Sequence, residues 1–148
     1  MGFRQVDHVR AYPFKNFNGG VKFLVLGKET DNGYVYEFPG GKREAGESDL
    51  MTLTREMQEE TGFCCNMDYW IKNSGSLYVP RRMSFPDKRK GITINLTLIP
   101  VRVNPYSTVK TSEPHDSYAW LHKSDCYHRL THPEQRQMHA YMSKKLRL

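Results

Sequence analysis

The sequence contains no apolar run near the roughly eighteen residues that a membrane-spanning helix needs. Its opening, MGFRQVDHVR, lacks the apolar core of a secretory signal, and Val6 stands where a myristoylation signal following Gly2 wants Ser or Thr. The expectation is a soluble, untargeted protein without a membrane partner. Cysteine is scarce: Cys64, Cys65 and Cys126 make an odd count, and the first two are neighbours, which rarely bridge each other. No disulfide framework is expected, and a reducing, cytoplasmic setting fits. CYHRLTH offers Cys126, His128 and His132 as nominal zinc ligands, but no CxxC pair accompanies them. Acidic residues are outnumbered, 16 Asp and Glu against 22 Lys and Arg, for a formal net charge of +6. That balance favours an anionic partner without separating a nucleotide from a nucleic acid.

What is present is an ordinary globular composition. With 38% hydrophobic and 26% charged residues over 148 positions, the chain can bury a core and reads as one domain, residues 1–148. There are no repeats, linkers or low-complexity tracts.

VDHVRAYPF and VKFLVLGKE read as strands flanking an Asn18-Gly19-Gly20 turn, and YVYEF follows a second turn, TDNG. From Ser48 the period changes: Leu50, Leu53 and Met57 recur at helical spacing, Ser48 can cap, and Gly62 falls where a helix stops. CNMDYWI and GSLYVP look extended, GITINLTLIPVRV alternates as a long strand, and SYAWL is a short one. PRRMSFPDKRKG, with its two prolines, reads as a basic loop between strands. A terminal helix starts near Pro133, with Met138, Tyr141 and Met142 as its buried stripe. Strands with one central and one terminal helix predict an α/β sandwich around a mixed sheet.

The helix beginning after Ser48 poses the functional question. At 100° per residue, Glu56, Glu59 and Glu60 fall within an arc of roughly 100°, beside the apolar stripe and not opposite it. Like charges so placed oppose the helix, more so when desolvated, so a cation should offset them. Clustered oxygen ligands suit hard Mg²⁺ or Mn²⁺, which keep waters and bind substrate phosphates. Arg55 points away from the carboxylate centre and can reach Glu47, while Gly40 and Gly41 allow close backbone approach to a ligand.

Written out, the segment is Gly41, five residues, Glu47, seven residues, Arg55-Glu56-Met57, one residue, Glu59-Glu60, one residue, Gly62-Phe63. It resembles the Nudix box at every fixed position. Chance would produce seven such matches less than about once in a million chains of this size. The resemblance implies a Nudix-like α/β/α sandwich and Mg²⁺-dependent hydrolysis, with Mn²⁺ as a substitute, of a nucleoside diphosphate linked to another group. It makes Glu56, Glu59 and Glu60 metal ligands, Gly40 a carbonyl ligand, and Arg55 with Glu47 the orienting ion pair. The general base is Glu59 or, in SEPHDSYAWL, Glu113, which reads equally as an exposed loop acid. Among the histidines only His115, beside Glu113, stands out. The resemblance also allows a homodimer.

The substrate is left open by the residues around the box. EFPGGK is similar to MutT-type triphosphate pyrophosphohydrolases, and SEPHDSYAWL resembles a segment of diadenosine polyphosphate hydrolases, with Pro114 in place of a second Glu. Pro80 lies near a proline of ADP-ribose hydrolases. Tyr78 stands about where the diadenosine enzymes keep a base-stacking tyrosine, and Arg81 and Arg82 could pair with phosphates. A small nucleotide is the expected substrate. RNA 5′-cap removal is the enzymatic alternative, favoured by the basic PRRMSFPDKRK, and a non-catalytic nucleotide-binding domain is the other.

Overall fold

A computed structural model describes residues 3–148. The chain starts with β1 (Arg4–Phe17), β2 (Gly20–Thr30), β3 (Gly33–Glu37) and β4 (Gly40–Lys42). The first hairpin closes on Asn18 and Gly19, whose φ angles of 45° and 84° give the two-residue turn that strand twist prefers. Helix α1 (Asp49–Thr61) follows. Ser48 caps it by accepting the Met51 amide at 3.2 Å, and Gly62 ends it at φ 75°. Three two-residue strands come next: β5 (Tyr69–Trp70), β6 (Lys72–Asn73) and β7 (Ser76–Leu77). The remainder is β8 (Arg81–Asp87), β9 (Ile92–Val103), β10 (Ser117–Leu121), α2 (Lys123–Arg129) and α3 (Pro133–Lys145).

Eight of the strands form one sheet with the path β10-β2-β1-β9-β5, while β3 pairs with β2, β4 with β1 and β8 with β9. Only β1 and β9 run parallel, so the sheet is mixed. Alternation along the strands splits the interior into two cores. Val9, Ala11, Leu24, Leu26, Ile99 and Val101 meet Leu53 and Met57 of α1 on one face. Tyr12, Phe14, Phe23, Val25, Leu96 and Leu98 meet Cys126, Met138 and Met142 of α2 and α3 on the other. The expected α/β/α layering is therefore present.

Four local expectations are corrected. Residues 81–87, expected in a loop, form an edge strand paired to β9 from Arg81↔Leu98 to Asp87↔Ile92. Met83 and Phe85 pack on the α3-side core and Pro86 is tolerated because the strand has a free edge, so arginines and prolines hid a real alternation. Leu50 is 37% exposed, and α1 buries Thr52 and Thr61 beside Leu53 and Met57 instead. Tyr141 is 44% exposed, and the buried face of α3 consists of Met138 and Met142 with Gln135, His139 and Ser143. His139 accounts for part of that polarity: its Nδ1 lies 2.7 Å from the Tyr12 hydroxyl and its Nε2 2.8 Å from the Lys123 carbonyl. Helix α2 was not anticipated. Among the described residues no helix is long and apolar enough to cross a membrane.

Candidate active site

Helix α1 carries its acidic residues against β4, and one arginine organises them. Arg55 grips Glu47 with two prongs: Nε donates to Oε2 at 2.8 Å and Nη2 to Oε1 at 3.0 Å. The Thr52 hydroxyl and the Glu44 amide donate to the same carboxylate, each at 2.9 Å. Arg55 beside it lowers the Glu47 carboxyl to about 2. Contrary to expectation, Arg55 does not turn away from the carboxylate centre. Its Nη1 donates to Glu56 at 2.9 Å and to Glu59 at 3.4 Å, so one guanidinium links three carboxylates.

The glycine pair at the start of the box, Gly40 and Gly41, is where side chains cannot fit. A Cβ on Gly41 would come 2.6 Å from the Glu56 carboxylate, and one on Gly40 would strike the β1 backbone at Val9 and Arg10. The absent side chains let β4 lie flat between β1 and α1. Gly40 donates its amide to Glu60 Oε1 at 2.7 Å.

Glu60 is the most enclosed of the three box acids, its side chain only 12% exposed. Burial raises its carboxyl to about 7 despite the Gly40 amide, and burial likewise raises Glu56 against the pull of Arg55. The second oxygen of Glu60 faces Nδ1 of buried His115 at 3.4 Å without forming a hydrogen bond, and this nitrogen has no other partner among the described residues. The other ring nitrogen, Nε2, meets Glu37 at 2.9 Å. Burial works to raise Glu37, but hydrogen bonds from His115 and His132 and the charges of Arg10 and Lys28 outweigh it, holding this carboxyl far below the usual range.

These residues suit a hard divalent ion by donor chemistry: Glu56, Glu59 and Glu60 offer only oxygen, and two of them are buried beyond what their partners offset. Among the described residues, no three acidic, histidine or cysteine side chains already converge on one point. Arg55 stands between Glu56 and Glu59, while Glu60 is turned to Gly40 and His115. The nominal zinc ligand Cys126 is buried in the core with its thiol pushed up to about 12.

Glu113 is an exposed residue of the loop before β10. Its loop lies along the end of α1, where the Lys110 amide donates to the Thr61 carbonyl at 2.9 Å and the Ser112 hydroxyl to the Glu59 carbonyl. Tyr78, Arg81 and Arg82 are elsewhere, and the strand period separates the two arginines. Arg81 faces α3, its guanidinium 4.1 Å over the Tyr141 ring, while Arg82 faces α1 and lies 3.6 Å from Asp49. Tyr78 sits edge-on to Phe14 at 5.8 Å and lines two cavities, one of about 450 Å³ against α3 and one of about 320 Å³ against Asp49 and Leu50. A third cavity, about 510 Å³, is lined by Arg10, Phe85, Asp87, Lys88, His132 and Glu134. Arg10, Glu37 and His132 were missed in the sequence because they meet only through tertiary contacts. The one available signal was the acid Glu37 directly before Phe38-Pro39-Gly40-Gly41.

Residues 6–142 match the NUDIX domain. The chain belongs to the Nudix family. It is 29% identical over 105 residues to the asymmetrical bis(5′-nucleosyl)-tetraphosphatase of Rattus norvegicus, an alignment covering 70% of this chain. The chain spans 66% of that relative's length, just under two thirds. Among solved Nudix-fold structures, a C. elegans Ap4A hydrolase binary complex superposes with a TM-score of 0.82 at 18% identity, covering 95% of this chain and 97% of that one. The MutT protein from Methanosarcina mazei Go1 superposes with a TM-score of 0.73 at 20% identity, covering 100% and 99%. At these identities the superpositions establish the fold.

Proposed function

We propose that this protein, acting as one Nudix domain over residues 1–148, is a hydrolase of phosphoanhydride bonds in nucleoside diphosphate derivatives. Dinucleoside polyphosphates are the favoured class, and nucleoside triphosphates and ADP-ribose-type compounds are the other members. The observation that carries this reading is the Arg55-centred array of Glu47, Glu56 and Glu59 beside Gly40 and Gly41. The tetraphosphatase relative and the local likeness of SEPHDSYAWL favour the dinucleoside substrate.

Glu56, Glu59 and Glu60, with the Gly40 carbonyl, would hold Mg²⁺, with Mn²⁺ as a substitute. When bound, the ion supplies charge neutralisation at the bridging phosphate and acidifies a water. The chain's own residues do the rest. Arg55 fixes the carboxylates through Glu47, and Glu59 or Glu113 accepts the proton of the attacking water. Glu59 is the better-placed base because its side chain is 57% exposed and only loosely held by Arg55 at 3.4 Å. Tyr78 stacks on a nucleobase, and Arg81 and Arg82 pair with phosphates on the two faces of β8. The cytoplasm, where such nucleotides occur, is the proposed location.

A second reading, 5′-cap removal from RNA, has its own observation. The cavity against α3 combines Tyr78, Arg81, Tyr141 and Lys145, an aromatic and basic combination that suits single-stranded nucleic acid.

The test is product analysis of purified protein with Mg²⁺ and with Mn²⁺ on diadenosine tri- and tetraphosphate, ADP-ribose, nucleoside triphosphates and a short capped RNA. Preferred cleavage of a dinucleoside polyphosphate supports the first reading. Salt-sensitive preference for capped RNA supports the second. Tight nucleotide binding with no cleavage of any compound would leave the non-catalytic alternative.

A further inference from the structure

We propose that His115 and Glu37 are positioning residues that lock the carboxylate of Glu60 in place. The inference rests on the reading of Glu60 as a metal ligand, and it extends that reading to residues outside the box.

Three elements meet at this point: Glu60 from the last turn of α1, His115 from the loop before β10, and Glu37 from the end of β3. All three side chains are enclosed, at 12%, 2% and 4% exposure. An imidazole sealed from solvent is oriented by its nearest strong acceptor, and that acceptor is Glu37 Oε2, 2.9 Å from Nε2. Glu37 is itself held by two cations, Lys28 Nζ at 3.3 Å and Arg10 Nη2 at 3.7 Å, and His132 Nε2 lies 3.7 Å from it. Arg10 is tethered in turn, donating to the Phe38 carbonyl at 2.6 Å.

The backbone holds the loop as firmly. The His115 amide donates to Ser112 and the Asp116 amide to Gly27, each at 3.0 Å, so the loop is hydrogen-bonded to β2. His115 therefore cannot swing, and its Nδ1 edge forms one wall of the Glu60 site. The opposite oxygen of Glu60 is taken by the Gly40 amide at 2.7 Å. Held on one oxygen and walled on the other, Glu60 has one orientation to offer a ligand. Supporting contacts of this kind commonly carry 10–100-fold in metal affinity.

Arg10 and His132 also line the cavity of about 510 Å³. Its charged lining is mixed, with Arg10 and Lys88 beside Asp87 and Glu134, and it borders the clamp on the Glu37 side.

The experiment measures Mn²⁺ binding by electron paramagnetic resonance without nucleotide, together with the NMR signals of the Gly40 amide and the Glu60 carboxylate in metal-free protein. Wild type, His115→Phe, His115→Gln and Glu37→Gln are compared, each checked for fold by circular dichroism. His115→Phe is expected to weaken Mn²⁺ about tenfold or more and to move both NMR signals. His115→Gln keeps a donor for Glu37 and is expected to recover most of the affinity. Glu37→Gln, which keeps shape but not charge, should weaken Mn²⁺ several-fold and stands in if His115→Phe does not fold. Folded variants that bind Mn²⁺ as wild type does, with unmoved Gly40 and Glu60 signals, overturn the inference. Wild type that binds no Mn²⁺ overturns the ligand reading instead, and the metal-free signals then decide whether the clamp exists.

Discussion

The Arg81 guanidinium carbon lies over the Tyr141 ring, 4.1 Å from its centroid, and joins the edge strand β8 to the distal half of α3. Its Nε is buried without an acceptor, whereas Arg10, Arg43, Arg55 and Arg82 each have an acidic partner. The Nη groups, and not the buried Nε, are then the donors that can meet a phosphate. Arg81→Gln is therefore expected to raise KM for a dinucleoside polyphosphate about tenfold with kcat nearly unchanged. Steady-state kinetics check this, and an unchanged KM returns Arg81 to a packing role.

Glu59→Gln should lower kcat by about a thousandfold or more with the fold intact, because the proposed ligand and the proposed base are lost together. Glu113→Gln is the comparison, measured across pH. A small loss with an unshifted profile leaves the base at Glu59, while a large loss with a shifted profile transfers it to Glu113.

Arg55→Lys keeps a charge but cannot reproduce the two-pronged grip on Glu47 while also reaching Glu56. The expected result is a loss of about a hundredfold in kcat, with a circular dichroism spectrum like that of wild type. Activity near wild type would show that the fork geometry is dispensable.

Glu60 gives a pH prediction whose sign is fixed by its environment. Its folded carboxyl is raised to about 7, above the ordinary 4.5, so ionising it costs stability progressively from about pH 4.5 to 7. Metal-free protein should lose melting temperature over that interval, and Glu60→Gln should flatten the loss. A divalent ion offsets the buried charge, so Mg²⁺ should raise Tm more at pH 8 than at pH 5.5. Glu37 acts in the opposite sense. Its lowered carboxyl contributes stability above pH 4.5 that is lost as the solution is acidified, and Glu37→Gln should weaken that acid sensitivity.

The box acids and the Arg55–Glu47 pair were legible because one helix and its preceding loop carry them all, where sequence spacing translates directly into position. Gly40 and Gly41 were legible for the same reason. Glu37 and His115 were not, because 78 positions separate them and nothing local to either announces the other. The separation of Arg81 from Arg82 follows from the strand period, which the prolines and basic residues of this segment obscure. On α3 the polar buried face defeated a reading that looked only for apolar spacing, since Gln135 and His139 are buried through specific hydrogen bonds.

The eleven-pair parallel ladder from Arg4↔Ile92 to Phe14↔Arg102 has a temporal consequence. A growing chain cannot complete β1 until residues some ninety positions later have been made, and such distant pairings are slow to close. Because β4 rests on β1, and the box helix on β4, the acidic cluster waits on the same event. Until then β1 has a bare edge and the core under α1 lacks Ile99, Val101 and Val103 of β9, surfaces through which a nascent chain can aggregate.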